Sequence, residues 1–379
     1  MTANTRPALC LTLSEIAGAF GDFGTIIPLI LAVALVTPMN VGAMLLFFGI
    51  WFVISGWYYR LPIPIEPMKV IAVIVIAERL GAGEIAAAGL ILGLLFFLLS
   101  FGPVLLWLET VMQNAVVRGI QLGLALLLIR TSIGFITSDP FFAALGIAII
   151  LAFLLTGMYR GTIPDLSALV IVALGVVTGT ALQGLPQFHL LAFPPLVIPS
   201  LADYLHAAYS LVPSQALITV TNAILATVLL TKDLFSVDVP SRTLSRTIGL
   251  MNLTSVPFGG FPMCHGAGGL AGQYRYGART GAASIIAGIW FIAIALFFAS
   301  ADILTLIPVG FFGAMLVFVA LEMGKHSLRS ESLPVTLLVG VLALLASMTI
   351  AFAAGLAVAY VLYRVKNRQG QDPASPQVR

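Results

Sequence analysis

Apolar runs long enough to cross a lipid bilayer recur along almost the whole chain, and they constrain the fold more than any other feature. A helix of roughly 17–25 mostly apolar residues spans the ~30 Å hydrocarbon core of a membrane. Hydrophobic residues make up 60% of the 379 positions and charged residues only 9%, whereas soluble domains carry about 25% charged residues. Because the runs are continuous rather than alternating, the sequence predicts an all-α polytopic membrane protein and not a β-barrel.

The predicted segments form two sets of seven, separated by a long proline-rich connection at residues 183–213. An odd number of segments per set gives the second set the opposite orientation. The sequence therefore predicts two inverted repeats, residues 1–182 and 214–365, followed by a cytoplasmic tail at 366–379. The predicted segments are 12–36, 41–58, 66–78, 84–101, 106–130, 140–158, 164–181, 214–231, 243–256, 265–278, 282–300, 303–322, 333–348 and 350–363.

Lysine and arginine concentrate on one side of this predicted threading. If the N-terminus is cytoplasmic, the connection 183–213 is external and contains no Lys or Arg, and Arg79 and Arg130 are the only basic residues in the other external loops. Because cytoplasmic loops carry an excess of basic residues, this distribution predicts a multi-pass protein of the cytoplasmic membrane with both termini in the cytoplasm. The net charge of +3 indicates no nucleic-acid partner.

Each set contains one short segment interrupted by Pro and Gly, LPIPIEPMKV at 61–70 and PFGGFPMCHGAGG at 257–269. Proline prevents regular helix, and irregular backbone persists at membrane depth only where protein buries it or it lines a wet cavity. Each segment is predicted to be an extended stretch that leads into a half-helix, with Pro67 at the first helical position of the first. The free N–H groups at two such helix starts would form an anion site. The alternative is that the glycines only permit close helix packing.

Ionisable side chains near these breaks are candidates for function. An intramembrane carboxylate such as Asp22 is a functional hypothesis by default, although it would equally serve by pairing with a base or capping a half-helix. Glu66 and Lys69 are three residues apart and can pair on one helix face. Lys69 would supply positive charge to an anion, while Glu66 or Asp22 would carry a coupling proton. His265 would donate to an oxyanion, carry a proton or cap the half-helix.

No motif typical of an enzyme is present in the sequence. A P-loop, a GxSxG nucleophile motif and an HExxH zinc motif are all absent. The two cysteines, Cys10 and Cys264, indicate no disulfide framework, and Cys264 has no accompanying Cys or His pattern that would form a metal site. The sequence therefore predicts a protein that is not an enzyme and has no cofactor or resident metal.

Three segments closely resemble the signature segments of the molybdate transporter family, a branch of the SulP-type anion transporters: GDFGTIIPLILA (21–32), PIPIEPMKVIA (62–72) and FGGFPMCHGAGGLAGQYRYGARTG (258–281). The resemblance implies the fold of nucleobase and sulfate permeases. That fold has fourteen transmembrane segments in two inverted seven-segment repeats, with a core domain that moves as an elevator against a gate domain. The polar tail after Arg364 is too short to form the STAS domain of typical sulfate permeases, as in the molybdate branch.

The resemblance also implies a substrate site between the two half-helix starts. Its residues come from the first span, the half-helix starts and the eighth span, and are Asp22, Phe23, Gly24, Thr25, Glu66, Met68, Lys69, Asn222, Cys264, His265, Gly266 and Ala267. Among them, Asp22 and Glu66 are the candidates for proton coupling.

The predicted function is import of molybdate by proton-coupled symport. Moving a dianion into a negative interior costs about 2.3 kcal/mol per charge per 100 mV, which favours coupling to protons. The predicted partners are molybdate, with tungstate or sulfate as further candidates, protons, the lipid bilayer and a second copy in a homodimer. The alternatives are a sulfate or nucleobase permease of the same fold, or an anion channel.

Overall fold

The computed structural model describes residues 7–111, 114–160, 165–192, 196–346 and, except for 352, 356 and 359, residues 350–361. Six helical stretches in these ranges are long and apolar enough to cross a membrane: Leu13–Val36, Val41–Tyr59, Ala82–Leu99, Asn114–Ser138, Gln215–Phe235 and Val309–Ser327. This confirms the helical membrane protein, whereas the fourteen crossings stay a prediction. The predicted tail at 366–379 lies outside the described residues.

The helices are named here in chain order. They are α1 (Leu13–Ala19), α2 (Phe23–Val36), α3 (Val41–Tyr59), α4 (Lys69–Glu78), α5 (Ala82–Leu99), α6 (Val104–Val111), α7 (Asn114–Ser138), α8 (Pro140–Arg160), α9 (Ser167–Gln183), α10 (Leu201–Ser210), α11 (Val212–Ile218), α12 (Thr227–Phe235), α13 (Ser241–Ser255), α14 (Ala267–Arg275), α15 (Ala282–Phe297), α16 (Val309–Ser327) and α17 (Leu333–Leu345). A π-helical stretch, Thr219–Ala226, joins α11 to α12 without a break. The described residues at 350–361 are also helical.

Three predicted segments differ clearly from the observed helices. The segment predicted at 12–36 consists of α1 and α2, separated by a turn at residues 20–22. The segment predicted at 106–130 consists of α6 and the longer α7, which ends at Ser138. The segment predicted at 303–322 begins later, because Pro308 precedes the first helical residue of α16 and a 3₁₀ turn occupies Ala301–Thr305. The connection 183–213 contains α10, where the side chains of His206 and Glu84 meet at 2.5 Å and tie it to α5.

The two interrupted segments pair with each other. Their extended residues form strands β1 (Glu66–Pro67) and β2 (Met263–Cys264), which are antiparallel, with Glu66 opposite Cys264. The Asn252 side chain of α13 bonds both the N–H and the C=O of Met263, at 2.9 and 2.7 Å. The extended backbone therefore finds partners inside the protein, as the bilayer requires.

Both short helices start directly after these strands, α4 at Lys69 and α14 at Ala267. The prediction that Pro67 is the first helical residue is wrong, because Pro67 belongs to β1 opposite Met263. The Met68 N–H donates to the Pro262 carbonyl at 2.9 Å, so the inter-segment pairing continues to the residue before α4. The helix can begin only once this pairing ends.

Close backbone contact between α3 and α15 stabilises the packing around the strands. Gly49 faces Gly288 and Gly56 faces Gly281, so that a methyl group on either member of a pair would overlap the backbone of the other. Glycine at these four positions lets two apolar helices approach until their backbones touch, which is the usual way that membrane helices maximise dispersion contact.

We expect Gly281→Val to lower the free energy of unfolding by at least about 1–3 kcal/mol, because its side chain would collide with the Gly56 carbonyl. The measurement is thermal unfolding of the purified protein in detergent. Gly134→Val on α7 is the matched control, since no atom lies within 4 Å of the added carbon there. Equal melting temperatures for the two variants would contradict the close packing of α3 and α15.

Candidate functional site

A cavity of about 400 Å³ lies beside the starts of α2, α4 and α14. Its walls come from α2, α4, α7, α14, α16 and the π-helical stretch. The lining residues are Gly24, Thr25, Pro28, Leu29, Ala32, Lys69, Val73, Leu124, Leu127, Leu128, Thr131, Phe135, Asn222, Gly268 and Leu316. Most of this wall is apolar, and Lys69 is the single charged residue among the described residues that line it.

Lys69 and Glu66 form the ion pair that their spacing predicted. The Lys69 Nζ and Glu66 Oε2 atoms are 2.5 Å apart, and the Glu66 side chain is 1% exposed whereas that of Lys69 is 30% exposed. Lys69 thus lines the cavity, and the buried Glu66 carboxylate that pairs with it lies behind. The second carboxylate oxygen, Oε1, accepts a 2.7 Å hydrogen bond from the Gly269 N–H of α14.

The start of α4 has a partner that the sequence analysis did not identify. The Gln215 Oε1 atom of α11 accepts hydrogen bonds from the N–H groups of Val70 and Ile71, at 3.0 and 3.4 Å. The residue preceding the helix, Met68, makes no side-chain cap. An intramembrane glutamine such as Gln215 is itself a signal of function, which the sequence contained.

Two backbone N–H groups at the start of α14 are also hydrogen-bonded to side chains. The Ala267 N–H donates to Asn222 Oδ1 at 3.3 Å, and the Gly269 N–H donates to Glu66. The prediction that both helix starts leave their amides free is therefore wrong for these two amides and for the two at the start of α4. Unpaired N–H groups at membrane depth are costly, so side-chain oxygens from other segments bind them.

Asp22 is buried beside Glu66, and no base among the described residues forms an ion pair with it. It lies in the break between α1 and α2, is 2% exposed, and neither carboxylate oxygen accepts a hydrogen bond from a described residue. A methyl group on Gly269 would overlap the carboxylates of both Asp22 and Glu66, so the two acids converge above that glycine. The alternatives of pairing with a base or capping α2 through the side chain are not what the structure contains.

Four of the twelve predicted site residues line the cavity, namely Gly24, Thr25, Lys69 and Asn222. Asp22 and Glu66 lie behind them, as described above. Gly266 precedes α14 and packs against the Glu66 carboxylate, where a side chain would collide with it.

Three further predicted residues belong to the packing around the site. Phe23 makes ring contacts with Phe20 and Phe291, each at 5.0 Å between ring centroids. Met68 and Cys264 are buried in the hydrophobic core. The prediction that these side chains line the substrate site is not supported by their positions, since none of them lines the cavity.

His265 fastens the second interrupted segment to its surroundings. Its Nδ1 atom is 3.0 Å from the Pro64 carbonyl oxygen and its Nε2 atom is 2.8 Å from Thr247 Oγ1. The ring is completely buried and meets Tyr59 edge to face. Both ring nitrogens are thus engaged away from the cavity, so the predicted roles as oxyanion donor and helix cap are corrected to a packing role.

The wall formed by α7 was not predicted. Leu124, Leu128, Thr131 and Phe135 follow a helical spacing and line one side of the cavity. No local signal marks them, because a leucine that faces a cavity and a leucine that faces lipid are the same residue in an apolar helix.

Solved structures of anion transporters share this fold. The overall structure of SLC26A9 matches with a TM-score of 0.59 at 16% identity, over 93% of this chain and 65% of that chain. The transmembrane domain of a cyanobacterium bicarbonate transporter, BicA, matches with a TM-score of 0.57 at 16% identity, over 92% of this chain and 97% of that domain. The chain is thus a membrane protein with an SLC26-like fold, and it spans about two-thirds of the SLC26A9 chain.

Sequence comparison defines the family more closely. The family described as "Molybdate transporter of MFS superfamily" matches residues 14–128 and 207–323. Molybdate transporter 2 and Molybdate transporter 1 of Arabidopsis thaliana are 31% and 32% identical, over 83% and 82% of this chain and 78% and 79% of their own lengths. This chain belongs to the molybdate transporter family, as its signature segments predicted, and its named relatives are transporters rather than enzymes.

We expect His265→Ala to destabilise the protein without weakening anion binding by the folded fraction. Each buried hydrogen bond that leaves its partner unpaired costs about 1–3 kcal/mol, and the Pro64 carbonyl and Thr247 hydroxyl would both lose the imidazole. Thermal unfolding and equilibrium binding of radiolabelled molybdate are the measurements. Thr247→Val, which removes the bond to His265 together with the bond to the Tyr59 hydroxyl, is the comparison variant. Weaker molybdate binding at unchanged stability would show that His265 contacts the substrate.

Proposed function

We propose that this protein is a secondary active transporter that imports molybdate across the cytoplasmic membrane. Membership of the molybdate transporter family and the SLC26-like fold support anion transport. The observation that carries the proposal is a single lysine, Lys69, at the wall of a mostly apolar cavity between the starts of two short helices. A cation in apolar surroundings attracts an anion more strongly than the same cation in water.

Four donors are available to a tetrahedral dianion in this cavity. They are the Lys69 ammonium, the Thr25 hydroxyl, the Asn222 amide group and the Gly268 N–H. Gly268 opens onto the cavity, since the nearest neighbours of a side chain there are Leu128 at 3.7 Å and Glu66 at 4.0 Å. A small oxyanion can therefore reach the backbone at the second position of α14, where the helix dipole is positive.

We base proton coupling on the two donors that Glu66 binds. Its carboxylate holds the Lys69 ammonium and the Gly269 N–H, which are donors that a dianion would use. A neutral Glu66 would hold both donors less strongly than the carboxylate does, which would release them to the dianion. Among the described residues, Asp22, Lys69, Cys264 and His265 are other ionisable groups around Glu66, and Asp22 is the second candidate to carry the proton. Proton uptake and anion binding then favour each other by linkage.

Alternating access has a structural counterpart along α7. At one end of this helix Arg118 pairs with Asp233 of α12, and Gln121 Nε2 donates to the Ala226 carbonyl at 3.2 Å. Both α7 residues are buried, whereas Thr131, towards the other end, is exposed. We propose that the cavity is closed at the Arg118 end and opens towards Thr131. On the charge distribution the closed end faces the cytoplasm, with both termini on that side.

The remaining parts of the proposal concern the moving units. Inverted repeats at 1–182 and 214–365 would form a core that carries the two short helices and a gate that includes α7. Transport would proceed by an elevator movement of the core against the gate, which breaks the Arg118–Asp233 pair when the cavity opens to the cytoplasm. A homodimer held through the gates is the proposed assembly.

We expect Lys69→Gln to reduce the Vmax/KM of radiolabelled molybdate uptake into proteoliposomes by about tenfold to a hundredfold. A hydrogen bond to a charged group contributes about 1.5–3 kcal/mol, and the substitution removes that charge from the cavity wall. Lys232→Gln is the matched control, since the Lys232 side chain is 64% exposed.

Competition by tungstate, sulfate and uracil in the same assay tests the identity of the substrate. Inhibition of molybdate uptake by tungstate but not by uracil is expected. Stronger competition by sulfate or uracil would favour a sulfate or nucleobase permease. Uptake that does not saturate with molybdate would favour a channel, and unchanged uptake by Lys69→Gln would contradict the proposed site.

We expect Glu66→Gln to make molybdate binding nearly independent of pH, whereas wild-type binding tightens as the pH falls. The substitution keeps a polar side chain of the same size but cannot carry a negative charge that competes for Lys69 and Gly269. Equilibrium binding measured between pH 5 and pH 8 tests this. Asp22→Asn is the comparison variant. If molybdate binding is independent of pH in Asp22→Asn but depends on pH in Glu66→Gln, the proton is carried by Asp22.

A further inference from the structure

Gln215 makes a contact that neither the family resemblance nor the proposed function explains. It is completely buried in α11, and 145 residues separate it in sequence from the amide that it binds most closely, that of Val70. Its Oε1 atom accepts from the Val70 and Ile71 N–H groups, while its Nε2 atom donates to Thr219 Oγ1 at 3.0 Å. Every polar atom of this side chain is thus engaged, and the carboxamide has one orientation.

Val70 and Ile71 are the second and third residues of α4, whose first residue is Lys69. These are the positions whose N–H groups an N-cap side chain normally binds. Met68, the residue at the cap position, has no acceptor in its side chain that bonds them. Gln215 therefore performs from a neighbouring helix the role that a Ser, Thr, Asn or Asp usually performs within the same chain segment.

The helical stretch that contains Gln215 also contacts the start of the second short helix, α14. Asn222 lies seven residues after Gln215, on roughly the same face and about 10 Å further along the axis. Its Oδ1 atom accepts from the Ala267 N–H at the start of α14. The π-helical hydrogen bonding of Thr219–Ala226 occurs between the two side chains, and such stretches are frequent at functional sites.

The two helix starts differ in the charge of what covers them. The start of α14 is covered by Asn222 and by the Glu66 carboxylate, whose charge opposes the positive end of the helix. The amides at the start of α4 are covered by a neutral carboxamide, which adds no negative charge to that of the Glu66 carboxylate already paired with Lys69. An anion that displaces Glu66 from Lys69 would therefore also interact with the positive end of α4.

We infer that Gln215 is a positioning residue for anion transport: it caps α4 from outside, fixes the position of Lys69 and keeps this helix start positive because it is neutral. This inference rests on the proposed function for its effect on molybdate. The capping itself concerns only the fold and is measurable without any substrate.

Two substitutions of Gln215 separate capping from charge. Gln215→Met preserves size but removes the acceptor, so we expect faster amide hydrogen exchange at residues 69–72 and an increase of about tenfold in the KM for molybdate, with Vmax changed less than twofold. Gln215→Glu retains an acceptor, so exchange at residues 69–72 should match wild type. Its negative charge beside Lys69 should still raise the KM at least about tenfold.

The controls keep each outcome interpretable. Gln183→Met makes the same change at an exposed residue of α9 and should leave both exchange and KM unchanged. If Gln215→Met does not fold, Thr219→Val is the substitute, because it releases the Nε2 atom and should raise exchange at residues 69–72 about threefold. The inference would be overturned if amide hydrogen exchange at residues 69–72 in Gln215→Met equalled that of the wild type. A KM for molybdate in Gln215→Glu equal to that of the wild type would also overturn it. Failure of the wild-type protein to take up radiolabelled molybdate would instead refute the proposed function, while the exchange experiment would still test the cap.

Discussion

The pairing of backbone groups at membrane depth is the constraint on which the rest of this structure depends. Proline and glycine interrupt two segments, and the N–H and C=O groups that this leaves unpaired cannot turn to water inside a bilayer. Pairing of Glu66–Pro67 with Met263–Cys264, supported by Asn252, resolves the problem for the extended residues. This pairing places the starts of α4 and α14 beside each other, and the cavity exists because two helices begin there instead of passing through.

Side chains from distant segments then satisfy the helix starts, and Glu66 bonds both Lys69 and the Gly269 amide. In the proposed site, a dianion would therefore exchange with a carboxylate that is already present. Such an exchange would let a buried site bind an anion without accumulating uncompensated charge. Asp22, whose carboxylate accepts no hydrogen bond from the described residues, lies beside Glu66 and is the second carboxylate of the proposed site.

Sequence comparison gives the family of this chain, and structural comparison gives its fold. The description of the matching family refers to the MFS superfamily, whereas solved structures that share the fold include SLC26A9 and BicA. In this chain, the paired strands and the two short helices that follow them lie beside the cavity. The polar stretch from Gln215 to Asn222 bonds both helix starts from one side.

The amino-acid sequence alone determined the helical membrane class, the two interruptions, the Glu66–Lys69 pair and the family. These properties depend on hydropathy, proline and residues three apart, all of which are local along the chain. Only the tertiary structure decided that His265 and Phe23 serve packing, that α7 forms a cavity wall, and that Gln215 and Glu66 occupy amides expected to be free. The Gln215–Val70 contact joins residues that are 145 positions apart in the sequence, and the Glu66–Gly269 contact joins residues that are 203 positions apart. No local sequence pattern specifies which distant side chain binds a given helix-start amide, because any buried acceptor that reaches the amide satisfies it equally well.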